Sequence, residues 1–185
     1  MQAFKNKLFL VDAFAAAPFG GNPAAVCMMD AELDSNTMLQ IAGEMNVSET
    51  AFVLPTGEKN LYTIRWFTPK MEMGLCGHAT LAAAKVLFEP YGSCHDKVVF
   101  QYEKGTLNVE KHQEYFFMDF PLDKAAEEIV CSAELLRALG LDSFVRAFVG
   151  EQTRKLVIEV ESAEQIRAMS PDFTLLHAIQ FDKPV

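Results

Sequence analysis

The sequence predicts an α+β fold organised around one buried helix, and three observations carry that prediction. From Ala79 to Glu89 the only polar side chains are Thr80, Lys85 and Glu89, and a helix apolar on most faces is a buried one. Its three consecutive alanines, Ala82, Ala83 and Ala84, leave so little bulk that strands can pack closely all round it. Most other segments of the first hundred residues show the alternation and turn punctuation of strands. The helix follows directly on Gly74-Leu75-Cys76-Gly77-His78-Ala79-Thr80. Its unpaired first-turn N–H groups and positive dipole end therefore lie beside a thiol and an imidazole. That combination predicts an anion site with chemistry attached.

Taken in order, residues 7–14 read as a strand, residues 15–23 as a Pro/Gly turn region and residues 24–29 as a short apolar strand. Ser35 is the expected N-cap of a helix reaching Met45, with Met38, Ile41, Ala42 and Met45 at helical spacing. Strands follow over residues 49–54 and 61–68, and Pro69 stops the second as Pro90 stops the buried helix. A strand-rich block covers residues 97–103, 106–110 and 115–120. The polar stretch from Phe120-Pro121 onward is the expected linker. Beyond it come a helix from Ser132 to Leu139 ended by Gly140, strands over 144–150 and 155–161, a helix opening at Ser162 with capping-box spacing to Gln165, and another helical turn from Ser170-Pro171. The layout is one domain over 1–120, with its central helix at 78–89, and a smaller βαβ-like piece over 121–185.

At 185 residues, half of them hydrophobic and 22% charged, the chain suits a soluble globular protein with a sizeable core. A formal net charge of -9, with no Lys/Arg run longer than two, argues against nucleic acid or an anionic membrane as partner. No signal peptide or membrane-length apolar run is present. The four cysteines, Cys27, Cys76, Cys94 and Cys131, have no CxxC spacing, so reduced thiols and a cytoplasmic location are expected. Cys27 and Cys131 read as small core hydrophobes. His95, His112 and His177 lack ligand-spaced neighbours, and Glu103, Glu110 and Glu114 read as solvated. Cys76-x-His78 has the residue types of a metal site, but only two donors lie close in sequence, so no metal is expected.

Three segments remain, each placing polar residues at the edge of an apolar element: residues 12–26, residues 45–53 with Ser48-Glu49-Thr50, and residues 65–80. Polar groups at strand ends facing a buried helix N-terminus are what a small acid-binding site requires. A carboxylate there, such as Glu49, suits a proton-abstracting base. The plainer reading of Glu49 is an ordinary strand-edge acid.

The strings DAFAAAPFGGNPAAV, EMNVSETAFV and RWFTPKMEMGLCGHATLAAAKVLF, in that order, resemble the phenazine-biosynthesis isomerase (PhzF-like) family within the diaminopimelate-epimerase fold superfamily. The resemblance implies two domains, each with a curved, mostly antiparallel sheet wrapped around a central helix, and an active site in the cleft between them. It implies that Glu49 is the acid/base that moves a proton at carbon, in a small carboxylic acid, without metal or organic cofactor. Gly77 and His78 would line the substrate site, as would Asn22, Ser48 and Cys76. Related epimerases and racemases use cysteine pairs as acid/bases, and Cys76 stands where one such thiol would lie, though Cys27, Cys94 and Cys131 offer no convincing partner.

Family members are longer than this chain. The acidic, Gly/Ser-containing segment that supplies the opposing carboxylate, of the type EDPVTGSA, does not occur in it. The resemblance therefore implies a truncated or split family member with an incomplete second domain, inactive alone unless a second polypeptide or a second copy supplies the other wall. Exposed strand edges and the family's habit point to a homodimer or other self-association. The alternative expectation is a non-catalytic half-enzyme that binds small anions or only self-associates.

Overall fold

In the computed structural model the first part of the chain is a run of strands broken by two helices. Strands β1 (Lys7–Ala13) and β2 (Asn22–Met28) precede helix α1 (Ser35–Met45). Strands β3 (Glu49–Pro55), β4 (Leu61–Phe67) and β5 (Glu72–Met73) lead to helix α2 (Gly77–Phe88), and β6 (Lys97–Tyr102), β7 (Gly105–His112) and β8 (Tyr115–Met118) complete the set. The structure describes residues 6–17, 20–92, 96–120 and 122–179. Pro18-Phe19, Cys94, His95 and the tail 181–185, all used in reading the sequence, lie outside the described residues.

The strands form one eight-stranded sheet in the order β1-β2-β3-β4-β6-β7-β8, with β5 folded onto β4. The β2–β3 and β4–β6 pairs are parallel and the others antiparallel. Ala24, Val26 and Met28 of β2, Ala51 and Val53 of β3, Tyr62, Ile64 and Trp66 of β4, Val98 and Phe100 of β6, and Leu107 and Val109 of β7 share one core with α2. Five strands meeting one helix require the sheet to curl around it. Ala79, Ala82, Ala83 and Ala84 are at most 1% exposed, so the small side chains sit where backbone must approach backbone. Buried Thr80 donates its hydroxyl to the Cys76 carbonyl at 2.6 Å, which satisfies it inside the core. Lys85 leaves the core by pairing with Glu89 at 2.6 Å, and that ammonium holds the Glu89 carboxyl below its usual range.

On the sheet's other face α1 covers a second cluster, comprising Cys27, Met29, Leu33, Met38, Ala42, Phe52 and Phe67. Val26 against Cys27, and Val53 against Phe52, show the period-two split between the two faces. The α1 cap is Asp34 and not Ser35. Asp34 Oδ1 accepts the Thr37 N–H at 3.0 Å, whereas the Ser35 hydroxyl accepts from Arg65 Nη2 at 2.7 Å. Strand β5 was not expected, because two residues carry no periodicity. The Thr68 hydroxyl accepts the amides of Lys70 and Met71 and so reverses the chain onto β4.

The chain divides into two compact units, Met1–Phe120 and Pro121–Val185. The second contains β9 (Ala125–Ile129), α3 (Ala133–Leu139), β10 (Arg146–Gly150), β11 (Leu156–Glu159), α4 (Ala163–Ala168) and α5 (Phe173–Ala178). Its three strands run in the order β11-β10-β9 and are antiparallel throughout, which corrects the βαβ-like expectation. The polar stretch read as a linker contains β9. Ala-Ala-Glu-Glu has little strand propensity of its own, and the ladder to β10 holds it extended. Leu135, Leu136 and Leu139 of α3 pack with Leu176 and Ile179 over Ile129, Ala147, Leu156 and Ile158. Ser162 caps α4 through the Gln165 amide, but Gln165 Oε1 reaches back to the Glu161 N–H, one residue outside a regular capping box. Asp172, rather than Ser170, caps α5. Among the described residues no helix is long and apolar enough to cross a membrane.

Candidate active site

Three elements bring the candidate residues together. Helix α1 ends at Asn46 in the left-handed region (φ 50°), which turns the chain into β3. Glu49 then pairs in register with Ala24 of β2. Along β3, Ala51 and Val53 face the α2 core, and the two-residue period puts Glu49 on that same face. It meets the N-terminus of α2, where Cys76 holds the cap position with extended backbone (φ -142°, ψ 114°). Among the described residues no side chain caps this helix, so the donors of its first turn are available to an anion.

His78 is the hub. Its Nε2 lies 3.4 Å from Glu49 Oε2 and 3.1 Å from Ser48 Oγ, and its Nδ1 lies 3.4 Å from Cys76 Sγ. The Ser48 hydroxyl has one proton, directed to the Pro23 carbonyl at 3.1 Å or to Asn22 Oδ1 at 3.4 Å. Its oxygen then accepts from Nε2–H, which assigns the tautomer and leaves Nδ1 as the acceptor facing the thiol. The Glu49 and His78 side chains are 18% and 11% exposed, enough for a small solute to reach them. A Cβ at Gly77 would lie 3.1 Å from Phe120 Cζ, so glycine there lets the half-exposed Phe120 ring rest over the first turn of α2.

The structure thus gathers Asn22, Ser48, Glu49, Cys76, Gly77 and His78 at one place. Two features escaped the sequence reading. Phe120 lies far along the chain from Gly77, and nothing in its surroundings signals the contact. Glu49 also joins Cys76 and His78 as a third metal-type donor. The three offer one donor atom each, all within 4.8 Å of one another. The two donors that lie close in sequence, Cys76 and His78, thus gain a third from a remote segment. Distance along the chain hid a neighbour delivered by β3.

The other titratable candidates are accounted for. Cys27 lies in the cluster covered by α1, on the sheet face away from Cys76, and burial pushes its thiol from 9.0 up to about 11. Cys131 is buried in the core of the second unit, and burial raises its thiol as well. His112 sits beside Glu110 and the Phe117 ring, and His177 is exposed on α5. A cavity of about 800 Å³ in the first unit is lined by Glu32, Arg65, Trp66, Glu72, Tyr102 and Glu103 among others. Its Arg65 is occupied by a bidentate pair to Glu72, both contacts at 2.7 Å, and its remaining charged lining is acidic. That cavity suits an acid poorly, whereas the uncapped helix end beside Glu49 and His78 suits it well.

The family model described as phenazine biosynthesis-like protein matches residues 11–183. An uncharacterized isomerase of Pseudomonas aeruginosa is 46% identical over 166 residues, covering 90% of this chain and 61% of the relative. Another from Halalkalibacterium halodurans is 39% identical over 173 residues, covering 93% of this chain and 63% of the relative. A solved PhzF-family phenazine biosynthesis protein from Enterococcus faecalis superposes with a TM-score of 0.82 at 40% identity, covering 95% of this chain and 65% of that one. The chain spans 61% and 63% of the length of the two curated relatives.

Proposed function

Because the chain belongs to the phenazine biosynthesis-like (PhzC-PhzF) family, we propose that it works as an isomerase, moving a proton at carbon in a small carboxylic acid, with Glu49 as acid/base. The observation that carries this reading is the Glu49 carboxylate held 3.4 Å from His78 Nε2 at a helix N-terminus with no side-chain cap. The substrate carboxylate takes the first-turn amides of α2 at Gly77 and His78. Glu49 removes the neighbouring C–H proton. The electron pair left behind spreads toward the carboxyl oxygens, where fixed N–H donors and the helix dipole stabilise it. Ser48 and Asn22 hold the imidazole in place, so His78 can share a proton with Glu49 without reorienting. Metal and organic cofactors play no part in these steps. Returning the proton at a second position calls for a second acid/base.

The test is incorporation of solvent deuterium into a panel of small unsaturated and α-substituted carboxylic acids. Exchange is expected, and Glu49→Gln should slow it by about 10²–10⁴-fold. Exchange by Glu49→Gln at the wild-type rate would remove Glu49 from the role. A second reading makes Cys76 the proton-transfer group, favoured by its Sγ at 3.4 Å from His78 Nδ1. Cys76→Ala separates the two, since it should abolish exchange only if the thiol carries the proton.

A further inference from the structure

We propose that Glu49, Cys76 and His78 form a binding site for a thiophilic divalent cation, zinc above all. The argument starts from the donor set. A thiol, an imidazole and a carboxylate are the protein ligands of zinc, and here each offers a donor atom within 4.8 Å of the other two. Bonds of about 2.0–2.3 Å in a tetrahedral site place donors roughly 3.2–3.7 Å apart. The Nδ1–Sγ separation is 3.4 Å, so that gap already has the required size, and the Glu49 carboxylate lies on the far side of the same ring, 3.4 Å from Nε2. The ion takes one ring nitrogen. Side-chain rotation of Glu49, which is 18% exposed, supplies the remaining closure of about an ångström.

Outer support is already built. With one ring nitrogen on the ion through Nδ1, Nε2 keeps Ser48 Oγ, itself anchored on Pro23 and Asn22. Zinc-bound imidazoles habitually have such a partner on the second nitrogen. Thiolate and carboxylate together bring two negative charges to a dication, which balances its charge at the site. Coordination displaces the thiol proton to solvent, and no oxidant or reductant is involved. Three protein ligands leave one position for water, which the partial exposure of Glu49 and His78 allows. An ion held there occupies the carboxylate that the proposed reaction needs.

The experiment uses chelator-stripped full chain. Zinc is titrated against a chromophoric zinc indicator, and cobalt(II) is added separately to look for a thiolate-to-metal charge-transfer band. The expected result is one tightly bound equivalent and a charge-transfer band. Cys76→Ser and His78→Asn should each abolish the band or weaken zinc binding by at least ~10-fold, and Glu49→Gln should weaken it too. His112→Ala, which removes the surface His112–Glu110 pair, should change nothing. Fluorescence of the buried Trp66 verifies that each variant is folded. Absence of a charge-transfer band, or zinc affinity unchanged in Cys76→Ser and His78→Asn, overturns the proposal. The site shares residues with the isomerase reading but does not depend on that reaction. A chain that binds zinc and exchanges no deuterium loses the reaction and keeps the metal site, and the converse result does the opposite.

Discussion

Replacing Ala83 with leucine tests whether α2 is truly enclosed. Ala83 is 0% exposed and lies midway along the helix, inside the core shared with five strands. Leucine adds three carbons. At a position with room, burying them would stabilise the fold by about 2 kcal/mol, at ~0.8 kcal/mol per methylene. The difference in helix propensity is only a few tenths of a kcal/mol. In a close-packed interior the same atoms force neighbours off their rotamers and cost about 1–3 kcal/mol. The two pictures therefore differ in sign. Trp66 is the chain's only tryptophan, is 1% exposed and belongs to the same core, so its fluorescence during urea unfolding reports the first unit alone. With a slope of about 2 kcal/mol per molar urea, the midpoint should fall by about 0.5–1.5 M. A midpoint equal to or above that of wild type, at unchanged slope, would refute the sheet-around-helix account.

Two further outcomes rest on the same unit. Gly43 lies within α1, and a Cβ built there meets nothing within 4 Å, so Gly43→Ala should raise stability by about 0.5–1 kcal/mol. A loss measured by the same urea titration would contradict the open helix face. Cys27 gives a pH dependence of definite sign. Its folded thiol holds its proton up to about 11 against an ordinary 9.0, so the folded state binds that proton more tightly than the unfolded chain. The associated stability is complete below pH 9 and drains away as pH rises toward 11. Between pH 8 and pH 10 the Cys27 contribution falls by about 1 kcal/mol. Urea unfolding of wild type and Cys27→Ala at both pH values isolates it, because the variant lacks that part of the slope. Equal pH slopes in the two proteins would remove the buried-thiol assignment.

Much of the first unit was legible in the sequence because its signals are local. The alanine run with Val86, Leu87 and Phe88 marks a buried helix whatever surrounds it, and Leu61 to Phe67 alternates as a half-buried strand must. Reading failed where partners decide. Ala125 to Ile129 is a strand only because β10 pairs with it, and its polar sequence otherwise describes a loop. Glu72-Met73 is a strand only because Thr68 turns it back onto β4. The N-caps of α1 and α5 shifted by one or two residues because Asp34 and Asp172 stood next to equally suitable serines, and tertiary contacts (Arg65 on Ser35) settled the choice for α1.

The candidate site divides along the same line. Sequence by itself determined that a buried helix begins beside Cys76, Gly77 and His78, that Ser48 and Glu49 open a strand, and that these strings belong together in one family. Those are statements about residue type, spacing and local order, which the chain carries without folding. Only the tertiary structure decided that His78 stands between Glu49 and Cys76, touching each at 3.4 Å, that Phe120 lies over Gly77, and that Cys27 faces away across the sheet. Such distances follow from the curl of a sheet around its helix, which joins segments remote in sequence, and periodicity holds no record of them.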